Sequence, residues 1–291
     1  PMSKSLFLQI PNDNYNNESW VEYFFVGKKS NYTKIPITNY DVIDNNIFYT
    51  SLSTNIKKKY NGKYKIVEQT FWFGTDRFGR DLLSRIIYGV RVSIAVGLIA
   101  VIISLIIGIS LGLIAGFYRG RVDDIIMWFV NVIWSIPTLL MVIAITLALG
   151  KGFWQVFVAV GLTMWVEVAR IVRGQVMAIR ELEYVEASKV LAYSPFRIIT
   201  KHILPNVIGP VIVISAANFA AAILIEAGLS FLGIGAQPPI PSWGSIIKDH
   251  YSYIIMDKAY LAIIPGIAIM LLVLSFMTIG NSLRDAFDVR D

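Results

Sequence analysis

The chain contains no cysteine, which excludes disulfides and thiolate-bound metal. It has two histidines, His202 and His250, and only 16% charged residues, against about 25% in an ordinary soluble chain. With 55% hydrophobic residues over 291 positions, that deficit points to a bilayer as solvent. A phosphate-binding loop is also missing. It needs Gly, four residues, then Gly-Lys-Ser/Thr, and neither Gly27-Lys28-Lys29 nor Gly150-Lys151-Gly152 supplies it. No catalytic, cofactor-binding or metal-binding residue is expected, and nucleotide chemistry has to reside on another polypeptide. The net charge of +6 does not indicate nucleic acid, because the cations flank apolar runs instead of forming one patch with interleaved aromatics.

What is present is a series of long apolar runs. Five reach the roughly 20 residues that a bilayer requires: Val92 to Tyr118, Ile125 to Leu149, Phe153 to Val172, Val207 to Ile234 and Tyr260 to Ile279. Glu167 and Arg170 interrupt the third and are spaced to pair on one helix face. Orientation follows from the short loops. One set carries ten Lys and Arg (119, 121, 170, 173, 180, 189, 197, 201, 284 and 290), the other only Lys151, Lys248 and Lys258, so the first set is cytoplasmic. That orientation places His202 and His250 on opposite sides of the membrane, which excludes a shared metal or catalytic site. Everything before Val92 is then outside, although it holds thirteen Lys and Arg; long segments cross largely regardless of charge. The expected fold is an all-α polytopic membrane protein with five transmembrane helices in 90–291. An extracytoplasmic region, 1–70, precedes it as a small strand-containing cap or a partly irregular segment. Between them 71–89 is an interfacial amphipathic segment, with Leu82, Leu83, Ile86 and Ile87 opposite Arg80, Asp81, Ser84 and Arg85.

Several residues carry two readings. Ala100, Ser104, Gly108, Gly112 and Gly116 recur every four positions and give the first span a face without bulk, for packing within the subunit or for a moving interface with a partner. Pro137 is expected to kink the second span, with or without a gating role. Asn218 is an interhelical hydrogen-bonding group or a pathway residue. Glu226 lies about 28 Å from the inner end of its span, where a hydrated structural hydrogen bond competes with substrate contact. Gln237-Pro238-Pro239-Ile240-Pro241 is a stiff outer loop, followed by Trp243 as an interfacial anchor.

The most informative stretch is Glu183 to Pro205. Ser194 is a helix N-cap and Pro195 occupies the first position of the helix that follows, where its missing N–H costs nothing; Pro205 is expected to end that helix. The sequence Glu186-Ala187-Ser188, then Ala192, then Ile203-Leu204-Pro205 resembles the EAA loop of bacterial ABC importer permeases. Ser188 stands for the second Ala of that pattern, Ala192 for its Gly, and His202 where Ile is usual. Lys201 to Asn206 is similar to the peptide and nickel branch of the family. So are Gly74 to Asp81, Arg173-Gly174-Gln175, Glu226 to Gly233 and Gln237 to Gly244, in matching order from Phe71 to the C-terminus. The resemblance is to the second permease subunit of oligopeptide or dipeptide importers.

This resemblance implies a bacterial inner-membrane subunit paired with a homologous permease, two cytoplasmic ATPases that bind ATP and Mg, and an extracytoplasmic substrate-binding protein. The coupling loop is 173–206, with its coupling helix from Leu182 to Ala192. Glu186, Ala187, Ser188, Leu191, Ala192, Leu204 and Pro205 are its docking residues; Val185, Val190 and Leu191 fill a groove on the ATPase and Glu186 braces the loop. Pro137, Asn218 and Glu226 are candidate pathway or gating residues, and Gln237, Pro238, Pro239 and Trp243 candidate binding-protein contacts. The family has six spans with both ends inside, so a further N-terminal span is expected upstream or removed. The alternative is an ATPase-independent secondary transporter or channel, whose signs would be mid-membrane charge or interrupted helices in matching halves; the sequence shows neither. The substrate stays open among dipeptide, longer peptide and nickel complex, with the long external region favouring peptides.

Overall fold

The computed structural model describes residues 3–12, 31–43, 46–51, 56–77, 79–150, 152–237 and 240–287. Its contacts divide into two units, Pro1–Arg91 and Val92–Asp291.

In the N-terminal unit five strands form one antiparallel sheet: β1 (Ser3–Pro11), β2 (Tyr32–Ile43), β3 (Asn46–Ser51), β4 (Lys57–Tyr60) and β5 (Lys65–Phe71), in the order β4-β3-β2-β1-β5. Alternation makes the strands. Leu8, Ile37, Ile47 and Tyr49 cluster on one face, at whose exposed margin Lys4 and Glu68 pair at 3.5 Å. Of the two readings of 1–70, the strand-containing one describes these residues.

A turn built on Asp76 leads out of the sheet. Its buried carboxylate accepts from the Arg80 amide at 2.9 Å and from Arg80 Nε at 2.7 Å, with Gly74 and Gly79 in the left-handed region. Asp81 then accepts from the Ser84 amide at 3.3 Å, which caps helix α1 (Leu82–Tyr118). The expected amphipathic segment is therefore no separate helix. Its residues from Leu82 onward are the first turns of the first span, because no Pro, Gly pair or cap separates them from Val92.

The second unit is helical. After α1 come α2 (Gly120–Trp134), α3 (Thr138–Leu149), α4 (Phe153–Ile179), α5 (Glu183–Val190), α6 (Pro195–Ile198), α7 (Leu204–Leu232), α8 (Trp243–His250) and α9 (Tyr260–Phe287). The small-residue stripe serves packing within the subunit. A Cβ on Gly108 would lie 2.8 Å from the Trp165 carbonyl, and one on Gly112 2.7 Å from that of Ala169, so α1 and α4 touch backbone to backbone. Outward, Ile94, Leu98, Ile102 and Ile106 expose an apolar stripe on α1, as lipid contact demands.

The second span departs from expectation. Residues expected to form one kinked helix form two, α2 and α3, meeting at 89°. Pro137 has no N–H to give the Ile133 carbonyl four residues back, which accepts from the Ile136 amide at 3.2 Å instead, while Ser135 Oγ donates to the Val132 carbonyl at 2.7 Å. The expected Glu167–Arg170 pair is also not made. Arg170 donates to Asn131 at 2.5 Å and lies 3.9 Å from the Trp134 ring centre, because α2 offers it an aromatic face and an amide oxygen.

Candidate functional site

On the arginine-rich side, three guanidinium groups tie the chain turns together. Arg173 binds Asp123, Arg119 binds Glu181 at 2.7 Å and the Met177 carbonyl at 3.1 Å, and Arg180 donates to the Phe117 carbonyl at 2.5 Å. Arg119 and Gly120 have φ of 56° and 54°, which turns the chain from α1 into α2 within two residues. The cations read from sequence as orientation signals thus also fix the base on which α5 stands.

Helix α5 is short and projects from that base. Val185 is fully buried with Phe117, Val176, Ile179, Ile198 and Ile203, so it holds the helix down and is not available to an ATPase groove. That corrects its expected docking role: it points back along the face that α4 and the π turn cover. Ser188 is buried too, its hydroxyl donating to the Tyr184 carbonyl at 2.8 Å. The tyrosine hydroxyl accepts from Asn206 Nδ2 at 3.2 Å, joining α5 to the start of α7. Facing outward are Glu186 and Ala187, with Val190 at 86%, Leu191 at 65% and Phe196 at 77% exposure. No pattern in the sequence singles out Phe196, whose exposure depends on how α6 folds back toward α4. The Glu186 side chain makes no hydrogen bond or ion pair among the described residues, so bracing falls to Val185, Ser188 and Tyr184.

Ala192 explains the family glycine. The Ala192 amide donates to the Lys189 carbonyl at 2.9 Å and the Tyr193 amide to that of Ser188 at 3.2 Å, while Ala192 takes φ of 56°. This pair of bonds closes a helix on a left-handed residue, a conformation that Gly adopts freely and Ala with strain. Gly233 ends α7 in the same way with φ of 81°. Ser194 caps α6 as expected, accepting from the Arg197 amide at 3.4 Å. Pro205 does not end the following helix. A π turn, Ile199–Ile203, carries α6 straight into α7, and its wider ring accommodates the residue without an N–H. Leu204 is half-buried and Pro205 exposed at that junction.

At the opposite end, Glu226 organises a turn. It is 1% exposed and accepts from Ser230 Oγ at 2.6 Å; the same hydroxyl accepts from the Ala236 amide at 3.1 Å. Its hydrogen bond is structural but buried, not hydrated, since α8 covers it: a Cβ on Gly244 would lie 2.1 Å from the Ala227 carbonyl. Ser242 and Ser245 cap α8 reciprocally. Trp243 is 2% exposed at the start of α8, so it is neither interfacial anchor nor binding-protein contact; the capped helix turns it into the subunit. Gln237 is exposed and donates to the Gly235 carbonyl at 2.9 Å, while Pro238 and Pro239 lie outside the described residues. Asn218 is 2% exposed and faces the subunit interior, which removes it, with Glu226, from any pathway surface in this conformation. Pro137 stands at the 89° bend.

The chain is 42% identical over 217 residues, 75% of its length and 68% of the other, to the dipeptide transport system permease protein DppC of Bacillus subtilis (strain 168). It is 39% identical over 225 residues, 77% of its length and 72% of the other, to the oligopeptide transport system permease protein OppC of Haemophilus influenzae. Its fold is shared with a chain of the MetNI methionine ABC transporter in inward-facing conformations, at a TM-score of 0.59 and 18% identity over 71% of this chain and 97% of that one. Residues 108–290 match the model of the binding-protein-dependent transport system inner membrane component. That match takes in the α5 loop and every span from the inner half of α1 onward, and the chain therefore belongs to the family of inner membrane components of binding-protein-dependent transport systems.

Proposed function

We propose that this chain is one of two homologous permease subunits of an ATP-driven importer that carries peptides across the bacterial inner membrane. Partner ATPases bind ATP and Mg on the cytoplasmic side, and an extracytoplasmic binding protein delivers substrate near Gln237. The observation that carries this reading is α5. With the turn into α6 it presents Val190, Leu191 and Phe196 on the charged side of a membrane bundle, where none of the described residues covers them. Their apolar knobs seat in the ATPase, Glu186 and Ala187 flank them, and Ala192 ends the helix at the required angle. The peptide substrate is supported by the similarity to the dipeptide transport system permease protein of Bacillus subtilis and the oligopeptide transport system permease protein of Haemophilus influenzae.

An interrupted helix and a mid-span carboxylate, Glu167, are present after all, and both are signs associated with ATPase-independent transporters. The interruption occurs in one helix pair alone among the described residues, without a counterpart in a second half, so it does not favour that class. The test is the complete complex in proteoliposomes with labelled dipeptide, longer peptide and nickel chelate. Uptake of a peptide that requires both ATP and the binding protein is expected. Uptake driven by an ion gradient without ATP would overturn the reading.

A further inference from the structure

Glu167 is placed where a carboxylate is costly. It lies 14 residues after Phe153 and 12 before Ile179, about 21 and 18 Å from the two ends of α4. It is exposed on this subunit and makes no hydrogen bond or ion pair among the described residues. The nearest cation in sequence, Arg170, is held by Asn131 and Trp134. Such a group faces a wet cavity or a charged partner, not lipid.

The cavity is there. The bend between α2 and α3 opens about 170 Å³ lined by Trp134, Thr138, Met164, Glu167, Ala221 and Ile225. A second cavity of about 380 Å³ is lined by Ile171, Gly209, Pro210, Val213, Ala217 and Arg284. Ile171 is one turn beyond Glu167 on α4, and Ile225, Ala221, Ala217 and Val213 succeed one another every four residues on α7, so the two cavities lie along one helix face. The lining is mostly apolar, with the hydroxyls of Thr138 and Thr163 in the same cavity as Glu167. Its two ionic groups are Glu167 at mid-span and Arg284 at the arginine-rich end, and Arg284 likewise has no partner among the described residues.

We infer that this α4–α7 groove is the subunit's wall of the transport path, and that Glu167 binds the α-ammonium of the passing peptide while Arg284 receives its terminal carboxylate at the inner mouth. This rests on the peptide-import reading. The charge order suits a zwitterion: an ionised carboxylate offers only acceptors, a guanidinium only donors, and the apolar wall between them takes side chains of any kind.

The complete importer in proteoliposomes, with binding protein saturated, tests it. Glu167→Gln is expected to lower the initial rate of tripeptide uptake about tenfold or more, and Glu167→Asp to restore most of it. Arg284→Gln should slow uptake less, because it acts at the exit. A tripeptide with a free amine and a photoreactive first side chain should crosslink to residues 163–171 in the wild type and lose that crosslink in Glu167→Gln. Wild-type uptake by Glu167→Gln, an unchanged crosslink, or loss of the sister permease on purification would overturn the assignment. In the last case the counter-ion belongs to the partner. A wild-type complex that imports no peptide would instead remove the peptide reading, and the amine site with it.

Discussion

Arg173 and Asp123 meet through two contacts of 2.5 and 2.6 Å, Nε to Oδ1 and Nη2 to Oδ2, which tie the inner end of α4 to the start of α2. Both oxygens of one carboxylate are engaged by one planar donor, a geometry lysine cannot reproduce. Arg173→Ala is expected to cost about 2–3 kcal/mol, and Arg173→Lys to recover only part of it. Thermal unfolding of the detergent-solubilised subunit measures this; an unchanged midpoint for the Ala variant would show that the pair carries no net stability.

Ala192 makes the opposite kind of prediction, a gain. Gly there relieves the left-handed strain at φ of 56°, offset by the greater freedom Gly has when unfolded. The net effect should be stabilising by about 0.5–1 kcal/mol. Amide exchange at Tyr193, whose N–H closes the turn, is expected to slow in Ala192→Gly and to quicken in Ala192→Val. Faster exchange in the Gly variant would contradict the strain argument.

Packing of α1 against α4 leaves no room at Gly112, where a Cβ would stand 2.7 Å from the Ala169 carbonyl. Gly112→Leu should therefore separate the helices and lower stability by about 3 kcal/mol or more, beyond ordinary overpacking because backbone cannot swing aside. The check is yield and melting of the purified complex. Gly174→Leu, at an exposed position with open space around it, is the control.

Burial divides the α5 region into residues that hold it and residues that face outward. Val185→Asp buries a charge among Phe117, Ile179 and Ile198 and should lower subunit abundance in the membrane. Leu191→Asp and Phe196→Asp, both exposed, should leave abundance unchanged while ATPase co-purification and uptake fall. If Val185→Asp accumulated normally and lost only the ATPase, the helix would have to dock by its other face.

The orientation can be tested without background, since the chain has no cysteine. Ser188, buried at 4%, is a poor reporter; Asp124 and Ala187 are exposed on the arginine-rich side, Ser252 is exposed beyond α8, and Lys63 is exposed on the N-terminal unit, whose side of the membrane the experiment reads directly. An impermeant thiol reagent on intact cells should label Lys63→Cys and Ser252→Cys, and reach Asp124→Cys and Ala187→Cys only after permeabilisation. The reverse pattern would invert the topology and end the coupling-loop reading.

Features that follow from spacing alone were legible in the sequence. The four-residue stripe through Gly112 implied close helix packing, and Ser194-Pro195 implied a capped helix start; both follow from backbone geometry, which needs no knowledge of neighbours. The misses share a cause. Pro137 and Pro205 look alike in sequence, yet one breaks a span at 89° and the other is absorbed by a π turn, because the Ile136 amide took the freed Ile133 carbonyl in a tighter turn in the first case and the helix widened in the second. The resemblance gives Val185 an outward docking role, and its place after a proline-rich loop makes Trp243 an expected interfacial anchor; neither holds. Their burial depends on which elements fold back over them, Ile198 and Ile203 for the first and a capped helix for the second, and such long-range cover leaves no local trace.

The π turn joins more than two helices. Pro195–Leu232 runs as one unbroken 38-residue helix, about 57 Å long, well beyond the roughly 30 Å of a hydrocarbon core. At one end it carries Phe196, beside the exposed tip of α5; at the other, the Glu226–Ser230 knot that shapes the opposite loop. No stretch of coil lies between them to dissipate a displacement. A displacement applied at Phe196 would therefore be carried along one continuous rod, yielding first where its hydrogen-bond ladder is altered, at the π turn Ile199–Ile203 and at Pro210.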